Sequence, residues 1–270
     1  MSASIVSLPM YDLPSLRWAT EAWWAGIARA LQAEGLAEVP DTLTVATSHD
    51  APWRDPNLLL TQTCGYPLTH GFAAHLQPVA AIRWAIPECR GIEYHSVIVV
   101  RADDPVRSLA DLRSRACAFN SLDSQSGMSA LRHAVAPLAR GPRFFGRVIQ
   151  SFGHRASMAM VASGEADVCA VDVATFELVR RTTPEAVASL RVLARTAPAP
   201  GLPYATRIEA DADLVRRLRV GLATAVTDPS LAEARGALLI AGVEPVERAD
   251  YERIDAMERE AARLGYPDLA

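Results

Sequence analysis

The chain has 270 residues, half of them apolar and 21% charged, and a formal net charge of −4. That length supports one large core or two medium ones, and the charge leaves no basic footprint for nucleic acid or an anionic membrane. All 27 basic residues are arginines, which excludes chemistry that needs a lysine: Schiff bases, pyridoxal phosphate attachment and the P-loop.

In chain order, Ser4–Leu8 is expected as a first strand. Residues 14–33 follow as a helix with Leu16, Ala19, Trp23, Ile27 and Leu31 on one face. Strands are expected at Leu43–Ala46, Leu58–Thr61 and Val79–Ile86, with a helix over about 67–76. Next comes SVIVVR (96–101), strongly β, then SLADLR (108–113), a short helical turn, and the strand Ala116–Phe119. Helices at 126–138 and 154–163 flank a strand at Val148–Ser151, and Gly164 reads as a C-cap. Strands at Asp167–Val171 and Leu190–Ala194 enclose a helix at 173–181. Helices at about 211–226, 230–241 and 248–263 finish the chain.

Short apolar strands alternating with amphipathic helices read as an α/β fold with a largely parallel sheet. Ile86–Gly91 and the proline-rich TAPAPGLPYAT (196–206) interrupt the pattern as linkers. The expectation is therefore a two-lobed clamshell with its ligand cleft between the lobes. Lobe 1 is discontinuous, 1–87 plus 200–270, lobe 2 is 95–195, and the hinge crossings are 88–94 and 196–199.

Four cysteines, Cys64, Cys89, Cys117 and Cys169, show no CxxC pair and no histidine at zinc spacing, so neither a metal nor another cofactor is expected. Cys117 and Cys169 read as small buried hydrophobes, whereas Cys64 and Cys89 lie in loops and are free to pair. The N-terminal MSASIVSLPMYDLP lacks a basic n-region and a long apolar stretch. The chain as it stands reads as cytoplasmic, or as periplasmic if an export leader has been removed. No run is long enough to insert into a membrane.

The stretch CAFNSLDSQSGMSALR (117–132) carries the strongest functional signal. Ser121, Ser124, Gln125, Ser126 and Gly127 stand between a strand and a helix start. Capping the first turn needs one such residue. The surplus is what a bare helix start would use to hold an anionic oxygen. Ligands in open α/β sheets bind beyond the carboxyl ends of strands. Loops placed there add Tyr11, Trp53, Thr63, Tyr66, Tyr94, His154, Asp172 and Tyr204, which are aromatic walls with a few convergent polar groups. Each has a plainer reading: lobe-edge packing for Tyr11 and Tyr66, a loop anchor for Trp53, and helix caps for His154 and Asp172.

YHSVIVVRADDPVRSLADLRSRACAFNSLDSQSGMSALR and GHRASMAMVASGEADVCAVD resemble the middle lobe of the phosphonate/phosphite/phosphate-binding proteins of ABC importers. Shared features are the aromatic-x-Ser strand entry, the S-L-x-D-L turn, the S-x-S-G helix start and the H-x-A…G-x-A-D segment. The resemblance implies a type II periplasmic-binding fold closing on a small anion. Ser124, Gln125, Ser126 and the N–H groups near Gly127 would then cradle phosphoryl oxygens, with Tyr94 and His154 approaching and Asp172 facing an amino group on the ligand. It also implies a monomeric, non-enzymatic protein with an ABC permease as partner. Gln125 departs from the pattern, which has a small hydroxyl residue there. Two alternatives on the same fold are a cytosolic chorismate-dehydratase-like lyase, with Asp172 and His154 as its only acid–base candidates, and a metabolite sensor.

Overall fold

A computed structural model describes residues 4–46 and 48–270. The chain runs β1 (Ile5–Ser7), α1 (Arg17–Ala33), β2 (Leu58–Gln62), α2 (Gly65–Thr69), β3 (Leu76–Trp84), β4 (Glu93–Tyr94), β5 (Ser96–Arg101) and β6 (Ala116–Phe119). It continues through α3 (Ala130–Val135), β7 (Arg147–Gln150), α4 (His154–Ser163), β8 (Val168–Asp172), α5 (Val173–Thr182), β9 (Leu190–Arg195) and β10 (Ala199–Pro200). Last come β11 (Pro203–Arg207), α6 (Ala212–Thr227), α7 (Ala232–Ala237), β12 (Ile240–Pro245) and α8 (Glu252–Arg263). Two compact units result, one of Met1–Glu93 with Pro200–Tyr251, the other of Tyr94–Ala199 with Glu252–Ala270.

In the first unit the sheet order is β1-β2-β11-β3-β12. β1 and β2 are parallel, but β11 runs antiparallel to both neighbours, and β12 runs antiparallel to β3. The expected parallel sheet is thus mixed, because the returning chain enters the middle of the sheet as β11. That strand lies inside the stretch read as a linker. Pro203 is tolerated as its first residue, where a missing N–H matters least. β12 falls where a helix was expected to reach 241, and Leu239, at φ 59°, marks the break. Leu43–Ala46 is not a strand, although the Thr44 N–H donates to the Val6 carbonyl.

Trp23, Trp24, Ile27 and Leu31 of α1 are buried. Gly221 lets α6 come close, since a Cβ there would sit 2.4 Å from Leu31 Cδ2.

The second unit has the sheet order β7-β6-β8-β5-β9, with β6, β7 and β8 parallel and β5 antiparallel to β8 and β9. Ile98, Val100, Cys117, Leu131, Phe144 and Val168 form its core. The same cluster contains Ala261 and Tyr266, so α8 packs on this unit and not on the first, where the sequence reading put residues up to 270. Buried Arg132 holds the segment after α8 through the Pro267 carbonyl (2.6 Å) and lies 3.3 Å from Glu258. The Ala270 carbonyl accepts the Phe144 and Phe145 N–H groups at 2.8 and 3.0 Å. Local capping behaves as the sequence suggested: Ser108 and Asp111 form a capping box, and Gly164 caps α4 at φ 81°. Cys64 and Cys89 are not bridged to one another.

Candidate ligand-binding site

The hydroxyl-rich run stands at the carboxyl end of β6. The Ser124 N–H donates to the Ser121 carbonyl at 3.2 Å, closing a turn, and residues 125–129 then start the helix as one wide π-type turn. Ser124 is the cap: its Oγ accepts the Gly127 N–H at 3.0 Å. Capping therefore uses one residue of the run. Ser126 is left for another purpose, 3% exposed, its Oγ 2.9 Å from His154 Nε2 and 3.5 Å from Ser124 Oγ. Ser96, at the start of β5, donates its hydroxyl to the Ser126 carbonyl at 2.8 Å and holds the turn from behind.

His154 opens α4. Its loop is pinned by Ser151, whose Oγ donates to the Phe119 and Gly153 carbonyls and lies 2.6 Å from Ser157 Oγ. The ring keeps some surface, yet its enclosure lowers its pKa to about 4, with the Ala170 backbone pulling the other way. His154 is thus a neutral imidazole near pH 7. Gly127 has no room for a side chain: a Cβ there would lie 1.9 Å from Asn120 Oδ1 and 3.1 Å from His154 Cε1. Ser124, Ser126, the helix-start N–H groups and neutral His154 together make a hydrogen-bonding cluster at a positive dipole end, suited to an anionic oxygen.

The other expected site residues have these settings. Gln125 is 1% exposed and its amide donates to Met257 Sδ (3.6 Å) on α8. Asp172, 2% exposed, caps α5 by accepting the Thr175 N–H at 3.0 Å. Tyr94, in β4, is 2% exposed.

In the first unit, Tyr204 is wholly buried in β11 and its hydroxyl accepts the Trp23 indole N–H at 2.8 Å; burial raises its pKa. That is a core position. Trp53 is likewise enclosed, edge-on to Phe72 at 4.8 Å, as a loop anchor. Tyr11 stands edge-on to Trp84 at 4.8 Å, and Thr63, fully buried, donates to the Cys64 carbonyl. Tyr66, half-buried, stacks on His70 at 3.8 Å. Ser96, named in the sequence only as part of the strand entry and not as a site residue, supports the turn from the start of β5, the strand beside β8. Among the described residues no cluster of His, Cys, Asp and Glu fits a metal, and no helix is long and apolar enough to cross a membrane.

These two mixed α/β units have the type II periplasmic-binding fold. Residues 65–251 match the family described as ABC transporter, phosphonate, periplasmic substrate-binding protein, and the chain belongs to it. It is a family of transport proteins that bind a small ligand and work with an ABC permease, not of enzymes.

Among solved structures, the chain is similar to a binding protein component of an ABC phosphonate transporter, PA3383 of Pseudomonas aeruginosa (16% identity, TM-score 0.78, covering 98% of this chain and 88% of that one). It is similar to PhnD1 of Prochlorococcus marinus in complex with methylphosphonate (15%, TM-score 0.78, 97% and 98%). It is also similar to XAC2383 of Xanthomonas citri bound to ATP (18%, TM-score 0.71, 97% and 98%). No curated protein matches the chain. Neither the lyase nor the sensor alternative finds a counterpart in these likenesses.

Proposed function

We propose that this substrate-binding protein takes a phosphonate-type oxyanion, a phosphonate, phosphite or phosphate, and presents it to an ABC importer. The observation that carries the reading is the Ser126–His154 pair at the π-type helix start, with Ser124 as the only member of the run used for capping. A tetrahedral oxyanion offers several acceptors to such converging donors. Each charge-assisted bond contributes roughly 1.5–3 kcal/mol, and the helix end about 0.3–1 kcal/mol. A few such bonds suffice for micromolar binding. PhnD1, similar in fold, is described in complex with methylphosphonate, which supports the same class here. XAC2383, bound to ATP, is consistent with phosphate oxygens as the recognised chemistry. The reading carries with it the periplasmic alternative and a monomer.

Isothermal titration of the purified protein with methylphosphonate, phosphite, phosphate and sulfate tests it. Micromolar or tighter binding of a phosphorus oxyanion, with the ligand recovered unchanged, is the expected result. Binding only of a carboxylate or an aromatic acid would sink the reading.

A further inference from the structure

Asn120 is the first residue beyond β6, and its backbone is clamped on both sides. Its carbonyl accepts the Phe152 N–H at 2.9 Å, and the Phe119 carbonyl accepts the Ser151 N–H at 2.8 Å. The direction of its side chain is therefore set by the fold. Its Oδ1 is buried against the bare Cα of Gly127 and has no hydrogen-bond partner among the described residues. An amide oxygen suits that place, since it finds no donor there and lies beside the bare Cα of Gly127. The nitrogen must then be the prong that points away from Gly127. Nδ2 also makes no hydrogen bond among the described residues. A primary amide nitrogen carries two donors, and the side chain lies against Gly127, the residue after Ser126, with His154 Cε1 on the same side of that glycine. Gln125, the one other amide in the run, is committed to Met257.

We propose that Asn120 is a ligand-contacting residue, its Nδ2 donating to an oxygen of the bound oxyanion, with the missing side chain of Gly127 making room for it. This rests on the oxyanion reading above. Asn120 selects for an acceptor oxygen by neutral donation, so a carboxylate of the same shape at this position would repel the ligand.

The test compares wild type, Asn120→Ala and Asn120→Asp by isothermal titration with methylphosphonate, phosphite and phosphate, with melting temperatures of the ligand-free proteins as control. Asn120→Ala is expected to bind about 10-fold more weakly, and Asn120→Asp about 100-fold more weakly. The aspartate variant is expected to recover relative to wild type as the pH is lowered toward its carboxyl pKa. A merely structural asparagine would lower melting without that pH-dependent recovery. If the aspartate variant does not fold, Asn120→Ser takes its place, with a loss no larger than alanine's. Variants that bind as wild type does overturn the proposal and leave the oxyanion reading standing. A wild type that binds none of the three probes overturns both.

Discussion

Ser126 Oγ and His154 Nε2 stand 2.9 Å apart, joining the helix start after β6 to the helix start after β7. Two helix N-termini that meet through a hydroxyl and a neutral imidazole place their donors on one spot. Ser126→Ala should therefore weaken oxyanion binding about 10- to 100-fold, and it should cost the empty protein about 1–3 kcal/mol because His154 Nε2 loses its partner. Titration calorimetry beside a urea melt measures both, and an unchanged Kd would remove Ser126 from the site.

His154 also sets a pH dependence of stability. Its pKa is about 4 in the folded protein and near 6.5 in an unfolded chain. Above pH 6.5 the ring is neutral in both states. Between 6.5 and 4 the unfolded chain takes up a proton that the folded protein refuses, so stability falls as the pH falls. The full loss is at most about 3 kcal/mol, reduced by the solvent the ring still meets. His154→Gln should lose less stability than wild type between pH 7 and pH 4.5 in denaturant melts. Equal losses would show that His154 does not titrate as its surroundings suggest.

Gly127→Ala should damage both binding and folding. Its Cβ would sit 1.9 Å from Asn120 Oδ1, closer than side chains tolerate. Relief requires moving Asn120 or the first helical turn, at about 1–3 kcal/mol. Binding at least 10-fold weaker, with a lowered melting temperature, is expected from calorimetry and thermal unfolding. A variant of unchanged affinity would show that the turn shifts without cost.

Tyr204→Phe separates core from ligand wall. Removing the hydroxyl leaves the buried Trp23 indole N–H without its acceptor, which costs about 1–3 kcal/mol. The Kd for the oxyanion should stay within about twofold, since this loss lies in the core of the first unit. A large change in Kd with unchanged stability would return Tyr204 to the ligand.

Arg132→Leu should loosen the C-terminal segment. It removes the bond to the Pro267 carbonyl and the contact with Glu258, for a loss of about 2–3 kcal/mol. Protection of amides in residues 252–270 should fall in hydrogen exchange. Full protection would mean that the apolar contacts of Ala261 and Tyr266 suffice.

What the sequence made legible was local. SVIVVR is β5 to the residue, Ser108 and Asp111 cap as their spacing suggests, and the excess of polar residues after Phe119 marks the helix start with the Ser126–His154 pair. What stayed hidden depends on distant partners. β11 was masked by prolines that only a sheet on either side makes acceptable, and β12 by apolar spacing that suits a helix equally well. Tyr204 looked like a cleft residue because its acceptor role toward Trp23 spans 181 positions. The side of the fold that α8 joins is decided by Arg132, Ala261 and Tyr266, none of which has a local signature.

The placement of α8 alters how the protein can be made. The chain passes from one unit to the other after Glu93, after Ala199 and again after Tyr251, so each unit is written in two separated stretches of the gene. During synthesis the sheet of the first unit must wait for β11 and β12, and the core of the second for α8 and Tyr266. Neither unit can be cut out as one continuous fragment: the first needs residues up to Tyr251, and the second needs Glu252–Ala270 as well as its middle stretch.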